Sequence, residues 1–549
     1  MDGTRYGSLG SSLTGVGYDN GTTYSAWSQV LSTELGNGTD DATITDQYDP
    51  HTQLLTDQAV TRNITTPADV DDTAYTYDLS GNITSETDTR LGATGTAETQ
   101  CYTYTTQDQL SQARTTATPG SASCATVPTA SSHSTVGDPL SALSAYDESW
   151  TYNTAGDQAS QTQYAAATGT SATTTDTYNG NAATSGDPQP TTLTGTTTTG
   201  STTAGTSYGY NKDGEQTSRT TATGSQTLTW NNQGLLTGVT NATKSTNSSY
   251  TYDAAGNLLL EVDGANTTLY LPNEQITVNS AGTVVTSDRY YSLPGGTTAV
   301  RTGIGAAYGF EVASDQHGTN TLYLNSTGQT PTWRQYDPYG NPRGTAPNSW
   351  VDNRGFLDKV DDSTTALTLI GARWYDSATG SFISLDPQLE ANDPTQLGGY
   401  NYAGNNPVTG SDPTGERWMP PVGCPDCPPP GTPDPGNGGT TVTTGGGGGG
   451  QSGGSGGESA ECSNTPEAPG CPGLALTPEG SDPSSMVEQI WNMIPTVESA
   501  CVIGGPLDFD TRCADPFPGG NPGKGNGLPQ HSTCSLSCAL VWQSDCWHE

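Results

Sequence analysis

The chain has 549 residues, with 56 acidic side chains against 17 basic ones, a net charge of −39 and only 31% hydrophobic residues. Such a surface repels phosphate backbones and anionic membranes, which excludes nucleic-acid binding by the bulk of the chain. No run of about 20 apolar residues occurs, so no membrane-spanning segment is expected. Low hydrophobicity with 70 glycines could suggest disorder, but 26 tyrosines and a charged fraction of 13% argue against it. Thr, Tyr and Val favour strands, and Gly, Asn and Asp favour turns, so the composition predicts many short strands.

The N-terminus, MDGTRYGSLGSSLTG, has neither the basic nor the apolar region of a signal peptide. Met1 starts inside repeat-like sequence, and the expectation is the tail of a longer exported protein. From there one six-residue pattern recurs: aromatic, Asp or Asn, two variable residues, Gly, then usually a polar residue. Good copies begin at Tyr77, Tyr152, Tyr210, Trp230, Tyr252 and Tyr336. A degenerate copy, Tyr104 to Gln109, lacks the glycine. The Asp or Asn side chain can bond the backbone two residues on and open a type I turn. The glycine supplies the left-handed residue of a G1 bulge. Each copy therefore predicts a β-hairpin, and hairpins about 20 residues apart predict a stacked array. Residues 115–145 and 165–205 are rich in Thr, Ser, Ala and Gly and break the period. They read as surface insertions or ragged hairpins.

From Asp288 the sequence becomes denser, with strand-like alternation at 289–291, 323–325, 333–336 and 369–371. Then come Gly371-Ala372-Arg373-Trp374-Tyr375-Asp376, Gly380 to Pro387 (GSFISLDP), Tyr400 to Val408 (YNYAGNNPV) and Ser411 to Gly415 (SDPTG). With the repeats, these motifs resemble the Rhs (rearrangement hot spot) or YD-repeat family, including its associated core, over roughly residues 70–416. The resemblance implies a mostly β fold: a spiralling stack of YD-repeat hairpins forming a shell, closed by the core and holding the C-terminal part of the chain. It further implies an aspartic-protease-like self-cleavage, in which Arg373, Asp386 and Asp412 form the catalytic group and the cut falls between Glu416 and Arg417. Where the family usually has leucine before the cut, this chain has Glu416. That adds a third carboxylate and removes an apolar anchor.

The expected division is 1–287 repeat array, 288–416 core, 417–460 Pro/Gly-rich linker and 461–549 variable Cys-rich region. Nine of the eleven cysteines follow residue 423, which suggests disulfides and an oxidising destination. Cys424 and Cys427 have the spacing of half a zinc site, but no matching half follows, and no metal or cofactor is expected. One helix is predicted from Pro483 to Ile494, with Asp482 as N-cap, Pro495 as stop, and Met486, Ile490 and Ile494 or Met493 on its buried face. His531, Asp545, His548 and Glu549 are of the types that serve as catalytic groups or metal ligands, but they read first as surface or framework parts of a disulfide-stapled tip. Two functions follow. The first is a secreted or cell-surface shell that encapsulates and releases a C-terminal toxin in intercellular competition, with an immunity protein as partner. The alternative is a structural or cell-wall-carbohydrate-binding repeat protein without cleavage activity.

Overall fold

A computed structural model describes residues 5–6 and 16–417, less 37–40, 64–65, 93–95, 126–143, 165–170, 179–190, 201–204, 222–223, 243–245, 304–307, 314–316, 327–328, 348–349 and 389–398. The expected linker, the helix at 483–494, the cysteines from Cys424 onward and the four residues of the stapled tip lie outside the described residues. The chain divides into two compact units, one of residues 1–279, 284–431 and 519–549, the other of 280–283 and 432–518. The elements that follow belong to the first.

Twenty-five antiparallel strands, from Asp19–Tyr24 to Pro331–Trp333, form one sheet in sequence order that closes on itself. Closure has a core of its own. Tyr18, Leu35, Ile44, Val60 and Val70 from the early strands pack with Phe310, Val312, Leu322 and Leu324 from the late ones. The sheet passes residues 287–288 within the strand Val284–Ser292. Strands Ala172–Tyr178 and Leu193–Thr199 are members of the sheet, so part of the 165–205 stretch is ragged hairpin. The short 3-10 turn Ser121–Ala125 carries Cys124, which is disulfide-bonded to Cys101.

The hairpin turns follow the sequence pattern atom by atom. In the copy at Tyr77, Asp78 Oδ1 accepts from the backbone amides of Ser80 (2.8 Å) and Asn82 (2.9 Å). Gly81 then sits at φ 87°. Asn153, Asn211, Asn231, Asp253 and Asp337 accept the same pair of amides in their own turns. The strand register slips by one residue at Tyr77, Tyr152, Tyr210, Trp230 and Tyr252, the signature of the bulge. At Tyr104 the turn forms without glycine: Thr105 Oγ1 accepts from Gln107 and Gln109, and Asp108 takes the left-handed position at φ 58°. Asp tolerates that conformation better than most residues.

In six hairpins the aromatic that ends the strand has a second task. Tyr77, Tyr104, Tyr152, Tyr178 and Tyr252 donate their hydroxyls to the carbonyls of Leu55, Ile83, Leu110, Gln158 and Leu236, at 2.5–2.7 Å. Trp230 Nε1 donates to Gln216 in the same way at 2.7 Å. Every acceptor is the first residue of the returning strand in an earlier hairpin. The aromatics thus stitch successive hairpins together and give partners to carbonyls that stand two residues before the ladder with the next strand begins.

A separate four-stranded sheet, Val360–Asp362, Leu367–Ile370, Arg373–Asp376 and Ser381–Phe382, packs against the shell. Trp374, Leu367 and Ile383 share a core with Leu228, Leu236, Val239 and Tyr250 of the shell strands. On its other side Tyr375, Phe382, Tyr402 and Phe356 form an aromatic cluster. The 399–415 loop then reaches across the hairpin turns. Tyr400 donates to Gly214 O (2.6 Å), Asn401 and Asn405 donate to Gly156 O (3.2 and 2.6 Å), and Asn406 donates to Asn82 Oδ1 (2.9 Å). The Ile83 amide donates to Thr409 Oγ1 at 3.1 Å. The YNYAGNNPV motif is therefore a cap bolted to three repeat turns.

Candidate active site

Arg373 lies on a strand whose neighbour runs to Ile370, and the tight turn between them requires Gly371 at φ 55°. A Cβ there would strike the Thr414 carbonyl, and one on Gly415 would strike the Ile370 carbonyl. These two glycines let residues 412–416 lie directly on the arginine strand, where Ala372 N donates to Thr414 O at 2.9 Å. Asp386 reaches the site from the loop after Ser381–Phe382, its amide fixed by Gly399 O at 2.9 Å.

The geometry converges on one nitrogen. Arg373 Nη2 contacts Asp386 Oδ2 at 2.8 Å and Asp412 Oδ2 at 2.9 Å. Its Nε donates to Gly415 O and its Nη1 to Gly399 O (3.1 Å), so the whole guanidinium edge is used. The Phe382 ring covers its face at 3.6 Å. Burial pushes the Arg373 pKa down, while Asp412 and Asp386 push it up. A guanidinium stays charged through such a contest. Lys359 also stands in the field of Asp412; burial pushes its ammonium pKa down, and Asp358 pulls against that.

The other carboxylate oxygens face the chain that follows. Asp412 Oδ1 accepts from Glu416 N at 3.2 Å and from Arg417 N at 3.0 Å. Asp386 Oδ1 accepts from Gln388 N at 2.7 Å. The Asp386 side chain is 13% exposed and that of Asp412 4%, so the first is open to water and the second is nearly sealed. The five residues singled out in sequence thus lie together: Arg373, Asp386, Asp412, and the Glu416–Arg417 bond beside Asp412. Gln388 was not singled out; its Nε2 donates to Glu416 Oε2 at 3.0 Å, and nothing in its sequence context announces that contact.

Residues 202–408 match the family model described as Teneurin YD-shell. The tRNA nuclease WapA of Bacillus subtilis strain 168 is 33% identical over 221 residues, and the tRNA3(Ser)-specific nuclease WapA of Bacillus spizizenii is 32% identical over the same length. Over the matched residues the chain carries the YD-shell of the Rhs/YD-repeat proteins. Each WapA match covers 39% of this chain and 9% of the relative, so this YD-repeat chain spans about a tenth of the length of those curated relatives. Among solved structures, the TcdB2-TccC3-Cdc42 crystal structure aligns over 74% of the chain and 20% of its own length, with a TM-score of 0.56 at 24% identity. The Photorhabdus luminescens Tc holotoxin pore aligns over 74% and 19%, with a TM-score of 0.57 at 23% identity. These likenesses establish the YD-shell fold. Among the described residues no helix is long and apolar enough to cross a membrane, and no group of His, Cys, Asp or Glu is arranged to hold a metal ion.

Proposed function

We propose that this protein is a toxin shell that encloses its own C-terminal region and frees it by cutting the Glu416–Arg417 bond. The observation that carries the reading is the Arg417 amide nitrogen, 3.0 Å from Asp412 Oδ1, with Arg373 holding Asp412 and Asp386 on one nitrogen. In hydrolysis a water oxygen bonds to the Glu416 carbonyl carbon, the C–N bond breaks, and the Arg417 nitrogen gains a proton. Asp386, the more exposed carboxylate, takes the proton from water. Asp386 then hands that proton to the Arg417 nitrogen as the C–N bond breaks, while Asp412, accepting from the Arg417 amide, holds that nitrogen in place. Two carboxylates on one cation suit this exchange, because a proton gained by either raises the other's hold on the arginine. The tethered peptide needs no separate binding step.

On this reading residues 417–549 are the released effector, competition between cells is its setting, and an immunity protein is its partner. The Cys101–Cys124 disulfide fits an exported, oxidising destination. The domain division at 287, 416 and 460 follows the same logic. A carbohydrate-binding role gains less support, because these repeat aromatics direct their polar atoms to backbone carbonyls of neighbouring strands. The test is the intact mass of the purified full chain beside its Asp386→Asn variant. Expected are two fragments from the unaltered chain, meeting at Glu416 and Arg417, and a single full-length species from the variant. A full-length unaltered chain at every pH tried overturns the reading.

A further inference from the structure

Glu416 sits where the resemblance leads one to expect leucine, yet the site does not leave its carboxylate unattended. Gln388 Nε2 donates to Glu416 Oε2 at 3.0 Å. The same residue's backbone amide donates to Asp386 Oδ1 at 2.7 Å, closing an Asx turn over Pro387. Gln388 therefore touches one member of the carboxylate pair through its main chain and the residue before the cut through its side chain. On the far side, Asp412 Oδ1 grips the amides of Glu416 and Arg417. Glu416 is thus held twice, by its backbone on Asp412 and by its side chain on Gln388.

We propose that Gln388 is a positioning residue that seats Glu416 and makes this site selective for a hydrogen-bond-accepting side chain before the cut. The inference rests on the cut falling after Glu416. It gives the replacement of leucine a physical sense: an apolar anchor is exchanged for a directed hydrogen bond. Proton movement is unchanged by it, since Gln388 neither gains nor loses a proton. Its side chain can be altered without touching the bond to Asp386, because that bond comes from the backbone.

The experiment follows self-cleavage of the full chain during cell-free synthesis, with fragment masses read at timed intervals. Removing the amide in Gln388→Ala slows cleavage about threefold, the scale of an exposed charge-assisted bond. Gln388→Glu sets two carboxylates against each other and slows it about tenfold. Glu416→Gln keeps an acceptor but loses the charge that strengthens the bond, and slows cleavage about threefold. The pair Gln388→Glu with Glu416→Gln restores the donor–acceptor bond in reverse and recovers most of the rate. Recovery in the double variant is the outcome a merely structural role does not produce. An unaltered chain that cuts, with Gln388→Glu cutting equally fast or the double variant staying slow, overturns the role of Gln388 and leaves the cleavage reading intact. An unaltered chain that never cuts overturns both.

Discussion

Gly214 and Gly256 occupy the same place in two copies of one turn, at φ 81° and 88°. Around Gly256 nothing lies within 4 Å of where a Cβ would be. Around Gly214 a Cβ would meet Leu385 Cδ1 at 2.6 Å and Tyr400 Oη at 2.7 Å. The first turn is self-sufficient, built from its own side chain and its own amides. The second is also a docking surface for the cap. The repeat region thus uses a local code that each hairpin satisfies alone, whereas the cap uses contacts spanning up to 326 residues, such as that of Ile83 with Thr409. Local bonds cost little to close, and long-range ones must be earned against chain entropy after the shell exists.

The largest break in that contrast is expected at Arg373. Arg373→Met leaves two carboxylates without their cation and three donors missing, and should destabilise the capped module by about 3–5 kcal/mol. Urea unfolding followed by tryptophan fluorescence measures it, and loss of self-cleavage should accompany it. Next is the glycine pair. Gly214→Ala should cost about 3 kcal/mol, from the left-handed backbone plus overpacking against Leu385 and Tyr400, and Gly256→Ala about 1 kcal/mol from the backbone alone. Equal losses in melting temperature would show that the cap does not bear on the turns.

The third test concerns charge. Burial, with Asp337 nearby, pushes the Glu148 carboxyl up to about 8, and burial with Asp362 pushes Glu261 up to about 8. Folded pKa values above the unfolded ones mean that the folded state holds the extra protons. The stabilisation is complete below the unfolded value and is lost as pH rises through about 8. Melting temperature should therefore fall from pH 6 to pH 9, about the range spanned by these groups, and fall less steeply in Glu148→Gln. A profile that rises with pH would contradict the assignment. The smallest effect is expected for Tyr152→Phe, which deletes the hydroxyl's bonds to Leu110 O and to the Tyr339 hydroxyl and should cost about 1 kcal/mol. Deuterium exchange at strands Leu110–Thr115 and Asp147–Tyr152 is the sensitive readout.

What could be read in the sequence follows the same line between local and distant. The turns were legible because Asp78 or Asn153 acts on amides two and four residues away, and a six-residue window contains the whole device. Where the device is spelled otherwise, as with Thr105 and Asp108, only the failed match was visible. Arg373, Asp386 and Asp412 were legible through a motif resemblance and not through spacing, since their meeting depends on Gly371 and Gly415 removing two Cβ atoms. The cap's asparagines, Asn401, Asn405 and Asn406, were legible as part of the YNYAGNNPV motif but not as donors to the turns, because their acceptors lie hundreds of positions upstream. The acidity that seemed a surface property is partly internal, with Asp71, Glu98, Asp288 and Glu311 all buried.

The stitching of aromatics to carbonyls has a direction. In every case the donor follows its acceptor in the chain, by 14 residues for Trp230 and 42 for Tyr152. During synthesis each new hairpin therefore emerges beside a partner that is already in place, and the wall can be laid course by course behind the ribosome. The cap, which needs several courses at once, can only be set last, so residue 416 meets Asp412 only after the wall has been raised.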